Sequence, residues 1–235
     1  MKTLQRIGLI LLLAAPGSTS LGQAVTPQGI ASGTTAAVAA PGSDAIFDLF
    51  KSRRSVRAYL PTPVPEEHIL KILDAARTAP TSGNQQPWKF LVIRDRAKLD
   101  RLVEEMAQSR ASRGGKLSGQ ELTATLERVR ANMRTYLSAP VFIIILTDSQ
   151  SRYPDYNHWD GPLAAGYLML AARALWYGTV FATDSFDNAV LRKVFSIPDQ
   201  YEFVCATPLG VPAAWPQSPS KKPLESFVVF ESFGK

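Results

Sequence analysis

Two spacings of apolar residues run through this chain, one helical and one suited to buried strands. In "PVPEEHILKILDAARTAP" the residues Ile69, Leu70, Leu73 and Ala76 fall on one helical face, with Glu66 and Glu67 in the first turn, where the helix dipole favours acids. A shorter helix is predicted from Asp44, a residue able to cap it, through Lys51. Trp88 to Ile93 reads as a short buried strand. "APVFIIILTD" is the clearest strand, a continuous run of β-branched and aromatic residues as expected in a sheet covered on both faces. Between them "RAKLDRLVEEMAQSR" and "GQELTATLERVRANMRTYLS" predict helices joined by the mobile-looking "ASRGGKLS". "GPLAAGYLMLAARALWYG" predicts a buried helix whose Ala164, Ala165, Ala171 and Ala172 permit close packing. A strand near Thr179 to Thr183, a helix from Phe186 to Phe195 and the strand "EFVCATPLGVP" follow. Helices and strands mix without strict alternation, so the expected fold is a central mixed sheet with helices on both faces.

The two amino-terminal segments lack this periodicity. In "MKTLQRIGLILLLAAPGSTSLGQA", Lys2 and Arg6 precede an apolar run from Ile7 to Ala15 and then small residues, the pattern of a secretory signal over residues 1–24. The run falls short of the roughly 20 apolar residues of a spanning helix. Cleavage is expected after Ala24, or alternatively after Gly22, which leaves a periplasmic or secreted protein without stable membrane insertion; the other outcome is a retained amino-terminal anchor. No twin arginine precedes the run and no cysteine follows it, against folded export and a lipid anchor. Residues 25–43 carry no charge and are built of Ala, Gly, Thr, Ser and Pro, as in a flexible linker. About 190 residues remain from Asp44 onward, enough for one domain with a sizeable core.

Losing Lys2 and Arg6 lowers the formal charge from +6 to +4. The remaining cations are interspersed with acids, and no basic block points to nucleic acid. The single cysteine, Cys205, lies in an apolar run and is expected in the core, which leaves no internal disulfide. With two histidines, no zinc pattern or Cys–His pair can be assembled. "DYNHWD" around His158 reads as a solvated loop, its alternative being a metal cluster. Phosphate-binding glycine loops and nucleophile elbows do not occur either, so any reactivity is expected from a cofactor.

Two polar clusters stand out. "SRRSVRAY" gathers Arg53, Arg54, Ser55 and Arg57 after a helix ending near Lys51, which suits either a phosphate gripped by guanidinium forks or a basic helix end on the dipole. "SPSKKPLE" adds Lys221 and Lys222 far along the chain, and the two clusters can meet at one dianion. The loop "APTSGNQQPW" is richer in amides than a turn needs. Pro80, Gly83 and Pro87 are ordinary turn punctuation, but Asn84, Gln85 and Gln86 also suit a flat polar ligand edge.

In order and spacing, "RRSVRAYLPTPVPEEHILKILDAARTAPTSGNQQPWKFLVI", "LAAGYLMLAARAL", "ATDSFD", "PLGVP" and "KKPLE" resemble the FMN-dependent nitroreductase family. The family pattern is R-x-S-x-[RK], then P-V-x-x-E, then A-P-S-x-x-N-x-Q-P-W. The resemblance implies an α+β fold with a mixed, mainly antiparallel sheet flanked by helices, in a domain-interlocked homodimer holding two FMN molecules at its interface. Arg53 with Lys221 or Lys222 would hold the FMN phosphate, Arg54 and Ser55 the phosphate or ribityl side, and Arg57 the pyrimidine edge. Pro80, Thr81, Ser82, Asn84 and Gln86 would approach the flavin from the partner subunit. Asp184 and Ser185 match the segment whose backbone N–H contacts flavin N5, with Ser185 where Gly is common. NADH or NADPH would pass hydride to N5 and leave before a nitroaromatic, quinone or related small acceptor took its place, under a variable cover from Ala107 to Thr135. That scheme needs no catalytic side chain and no metal. Relatives of this fold offer other readings. Iodotyrosine deiodinases favour Glu where Gln86 stands, and flavin destructases favour Asp at Ser55 and an apolar residue at Asn84. An exported flavin-binding or electron-carrier protein is a further alternative.

Overall fold

The central strand has no face for water. In the computed structural model, which describes residues 42–113 and 117–233, β2 (Val141–Asp148) lies between β1 (Trp88–Ile93) and β3 (Tyr201–Leu209), antiparallel to both. Side chains alternate across a strand, so Phe142, Ile144 and Leu146 enter one core layer and Val141, Ile143 and Ile145 the other. The first layer is closed by α3 (Arg96–Arg113), α4 (Gly119–Tyr136) and α6 (Asn188–Phe195), through Leu102, Met106, Met133 and Leu191. The second is closed by α2 (Glu66–Ala76) and α5 (Asn157–Ala174), through Ile69, Ile72, Ala165 and Leu168. Each such side chain withdrawn from water contributes about 1.5–3 kcal/mol, which explains why a strand with this sequence demands helices on both sides. The α+β class and its helix-flanked sheet are as expected. The expected leader, nearly all of the linker and Gly114 to Lys116 lie outside the described residues.

Four local expectations need correction. The first helix, α1, spans Ser43–Ser52 with Gly42 at its cap; Asp44 sits inside the first turn and makes no cap bond. Thr179 to Thr183 is not a full strand. Antiparallel bridges flank it, Ala182–Ala206 to β3 and Gly178–Gly210 just past the end of β3, but the N–H of Val180 between them goes to the Thr207 hydroxyl, which interrupts the ladder. The mixed character of the sheet rests on one parallel bridge, Ser55 to Thr179. The residues around His158 form no loop: Asn157 to Asp160 open α5, with Asn157 and Asp160 buried. Finally, α6 starts two residues late because the Asp187 carboxylate accepts from the Ala189 N–H and so caps it.

α5 reaches the sheet through a glycine. A β-carbon at Gly161 would stand 2.5 Å from Val204 Cγ2 and 3.0 Å from Thr147 Cγ2, both on the sheet. Replacing Gly161 by Leu is therefore expected to push α5 off the sheet and to lower stability by at least the 1–3 kcal/mol typical of an overpacked core, read from thermal unfolding. Cys205 is buried, and burial pushes its thiol up to about 12. The folded thiol keeps its proton to higher pH than the unfolded one, so its stabilisation is complete below the unfolded value of about 8.5 and declines as pH rises towards the folded value. Between about pH 8.5 and 10 the wild type is expected to lose stability to urea more steeply than Cys205→Ala, and equal slopes would contradict this assignment.

Candidate functional site

The basic cluster owes its position to one buried residue. Val56 is wholly buried, donates its N–H to the Thr179 carbonyl at 3.0 Å, and lies so close to Gly178 that a β-carbon there would stand 2.7 Å from its own. The segment after α1 is thereby held beside the sheet. Arg53, Arg54, Ser55 and Arg57 all line a cavity of about 530 Å³, and Lys221 with Pro216 to Pro219 forms its other wall. The clusters that sequence separates by more than half the chain thus meet, although Lys222 does not line the cavity. Among the described residues the lining contains no carboxylate, so the cavity is a cationic one suited to an anion. Arg54 also fulfils the plainer role of a helix end, donating to the carbonyls of Lys51 at 2.6 Å and Arg53 at 2.8 Å.

Arg57 links this corner to a second segment. Its Nε donates to the Tyr136 hydroxyl at 3.3 Å. The Ser185 hydroxyl, and after it the Arg57 guanidinium, lower the Tyr136 pKa from its ordinary value. Arg110 of α3 donates to the Ser185 carbonyl at 2.9 Å. Two residues on, the half-buried Asp187 accepts from the Ser109 hydroxyl at 2.6 Å and from Arg113 at 2.5 Å. Burial opposes ionisation of Asp187, but these partners and the Ala189 N–H hold its carboxyl below the usual range. Asp184 and Ser185 are therefore fixed by the end of α3. Tyr136 and Arg110, which fix the geometry here, carry no signal in the sequence beyond being polar residues of amphipathic helices.

The amide-rich loop lies elsewhere. Pro87 accepts from the Asp148 N–H and Trp88 pairs with Thr147, at one end of β2, whereas Ser55 and Thr179 adjoin Gly210, beyond the other end at Val141. Seven strand steps separate these ends, about 23 Å at 3.3 Å per residue. Within one chain, then, Pro80, Thr81, Ser82, Asn84 and Gln86 do not share the cavity of Arg53.

The loop is strained and clamped. Gly83, Asn84 and Gln86 have φ of 57°, 54° and 49°, in the left-handed region that costs residues with a β-carbon roughly 1–2 kcal/mol each. Gln85, absent from the expected site, holds this conformation. Its Nε2 donates to the Tyr153 carbonyl at 3.0 Å and to the Asp160 carboxylate at 2.7 Å, and its Oε1 accepts from the Tyr153 N–H at 2.7 Å. Asp160 accepts in addition from the Ser82 N–H at 3.2 Å. Among the three consecutive amides, Gln85 is the one turned inward, so Asn84 and Gln86 are left exposed at the tip. Sequence offers one clue to this, an acid near the start of an otherwise apolar helix.

A hollow of about 620 Å³ beside α2 and β1 is larger, but it holds none of these groups. Leu70, Leu73 and Phe90 line it, and its Arg77 is already paired with Asp74 at 2.6 Å. Among the described residues no three His, Cys, Asp or Glu side chains group as metal ligands.

Comparison with known proteins supplies the context. The chain is 31% identical over 177 residues to a protein of Methanothermobacter thermautotrophicus named for NADH dehydrogenase/NAD(P)H nitroreductase, a match covering 73% of this chain and 79% of that one. It is 28% identical over 189 residues to the iodotyrosine deiodinase of Danio rerio, covering 77% of this chain and 64% of the deiodinase. A protein of Desulfovibrio desulfuricans named as a nitroreductase and solved in complex with FMN superposes with a TM-score of 0.63 at 27% identity, over 84% of this chain and 100% of that one. The model of the Nitroreductase family matches residues 50–211, which run from the basic cluster through all three strands, and the chain belongs to that family.

Proposed function

We propose that this protein is an FMN-dependent oxidoreductase that takes hydride from NADH or NADPH and reduces nitroaromatic, quinone or related small acceptors. The observation that carries the reading is the convergence of Arg53, Arg54, Ser55 and Arg57 with Lys221 on one cavity without a carboxylate in its lining. That donor set fits a phosphate monoester: guanidinium forks and an ammonium bind its charge, and a hydroxyl adds a neutral hydrogen bond. When bound, FMN supplies hydride chemistry that no side chain here offers. In this reading Arg53 and Lys221 bind the phosphate. Arg57, oriented by Tyr136, places positive charge at the pyrimidine edge. Ser185 and Asp184, held by Arg110, present backbone to the flavin centre.

The separation of the loop from the cavity supports a homodimer in which each site takes its loop from the partner. Exposed apolar surface supports it too. Ile46, Phe47 and Phe50 of α1, Trp159, Leu163 and Tyr167 of α5, and Phe227, Phe230 and Phe233 near the carboxyl end are each more than 40% exposed. So much apolar surface on a monomer marks an interaction site. The Gln85–Asp160 clamp would then serve to present Asn84 and Gln86 to the partner's flavin. A deiodinase-like activity is the second reading, favoured by the deiodinase relatives; Gln86, where that group favours Glu, weighs against it.

Steady-state oxidation of NADH or NADPH with a quinone or nitroarene tests the proposal. Turnover is expected, whereas a pure flavin carrier would oxidise neither nucleotide and a deiodinase would release iodide from iodotyrosine. Arg53→Ala is expected to weaken FMN binding by about 1.5–3 kcal/mol, roughly 10- to 150-fold, while leaving riboflavin binding unchanged; titration of the flavin-free protein measures both. Sedimentation of the flavin-loaded protein at micromolar concentration is expected to show a dimer, and a loaded monomer would rule out the shared site. Gln85→Ala leaves Asp160 buried without its main donor, so a stability loss of about 1–3 kcal/mol is expected, together with lower flavin occupancy of the folded protein.

A further inference from the structure

Arg173, in the last turn of α5, is half-buried between two tryptophans. Its guanidinium carbon lies 4.3 Å from the ring centroid of Trp176 and 4.3 Å from that of Trp215. Both distances are within the roughly 6 Å at which a cation is drawn to an aromatic face. The rings themselves meet edge to face, with centroids 6.5 Å apart. Trp176 takes a φ of 63°, seldom adopted by a bulky residue. Arg173 also donates from Nε to the Ser52 hydroxyl at 3.1 Å, and that hydroxyl donates to the Leu49 carbonyl at 3.0 Å, at the end of α1.

This stack does not line the cationic cavity but joins residues next in sequence to both its walls. On one side, through Ser52, it meets the helix end from which Arg53 to Arg57 depart. On the other, Trp215 opens the Pro216 to Lys221 wall and packs against Val56, Tyr59 and Ala139. Among the described residues no backbone hydrogen bond is made from Ala214 to Lys222, so this exposed wall depends on its flanking anchors. The bond from the Ala213 N–H to the Ala58 carbonyl fixes the chain just before it, and the Trp215 ring is what holds its beginning. Burial first, and then the charge of Arg54, lower the Arg173 pKa, and the partners of this guanidinium are rings and a hydroxyl.

We propose that Arg173 is a positioning residue for the anion cavity: stacked between Trp176 and Trp215, it holds the Pro216–Lys221 wall against the Arg53–Arg57 wall and so sets the grip on a phosphate monoester. The inference rests on the reading that this cavity takes the FMN phosphate. It concerns how the wall that carries Lys221 is held in place, which the phosphate contacts of Arg53 and Lys221 leave unexplained.

The test uses the full protein stripped of flavin and titrated with FMN and with riboflavin, both followed by flavin fluorescence. Arg173→Met is expected to weaken FMN binding roughly fivefold, the scale of a partly exposed cation–ring contact, with riboflavin affinity unchanged. Arg173→Lys, which keeps a cation over the rings, restores most of the loss. Trp215→Leu removes one ring, leaves Arg173 in place and gives the same selective loss. An unchanged FMN-to-riboflavin ratio in Arg173→Met and Trp215→Leu, with the ratio lowered in Arg53→Ala, overturns the positioning role and leaves the phosphate reading standing. A parallel fall of both affinities with the unfolding midpoint also overturns it, since that is a purely structural effect. A wild-type ratio in Arg53→Ala removes the phosphate reading and the positioning role with it.

Discussion

Burial of β2 on both faces is the constraint from which the rest of the structure follows. A strand reading Val-Phe-Ile-Ile-Ile-Leu cannot leave either side in water, so it takes a neighbour on each edge and a helical layer on each face. The two layers are not equivalent. α5 approaches closely enough that Gly161 and the small residues Ala164 and Ala165 are needed at the contact, while α3, α4 and α6 pack through larger side chains such as Met106, Met133 and Leu191. The ends of this rigid strand then become the two places where polar segments leave the sheet. One carries the arginine cluster and the other the amide-rich loop.

Each of these segments holds an arrangement that is unfavourable by itself and is supported from beneath. At one end several cations share a small cavity whose lining holds no carboxylate, and their repulsion is tolerated because Val56 pins the backbone and α1 receives Arg54 on its last carbonyls. At the other end Asn84 and Gln86 sit in the left-handed region because Gln85 and Ser82 are tied to a buried Asp160. Strain and unbalanced charge that a fold supports in this way gather at sites of function. Within one chain the two stand at opposite ends of β2, and the same chain leaves α1, α5 and its carboxyl-terminal stretch with exposed aromatic side chains.

The sequence by itself determined the elements whose signal is local. Helical periodicity places α2 to α4, a continuous apolar run places β2, and the signature from Arg53 to Trp88 identifies the family, because turns, caps and guanidinium clusters are written in adjacent residues. What only the tertiary structure decided depends on contacts between distant residues. The strand expected at Thr179 to Thr183 is broken by the Thr207 hydroxyl, a residue whose distance in sequence hides the competition for the Val180 N–H. The supposed loop around His158 is the start of α5 because Asp160 is buried beneath Gln85, and an acid in the first turn of an apolar helix becomes intelligible only with its partners in place. Lys221 was separated from Lys222, and Gln85 from Asn84 and Gln86, in the same way: adjacent residues of the same type are indistinguishable in sequence, and the direction each side chain takes is set by which neighbour from another segment is there to receive it.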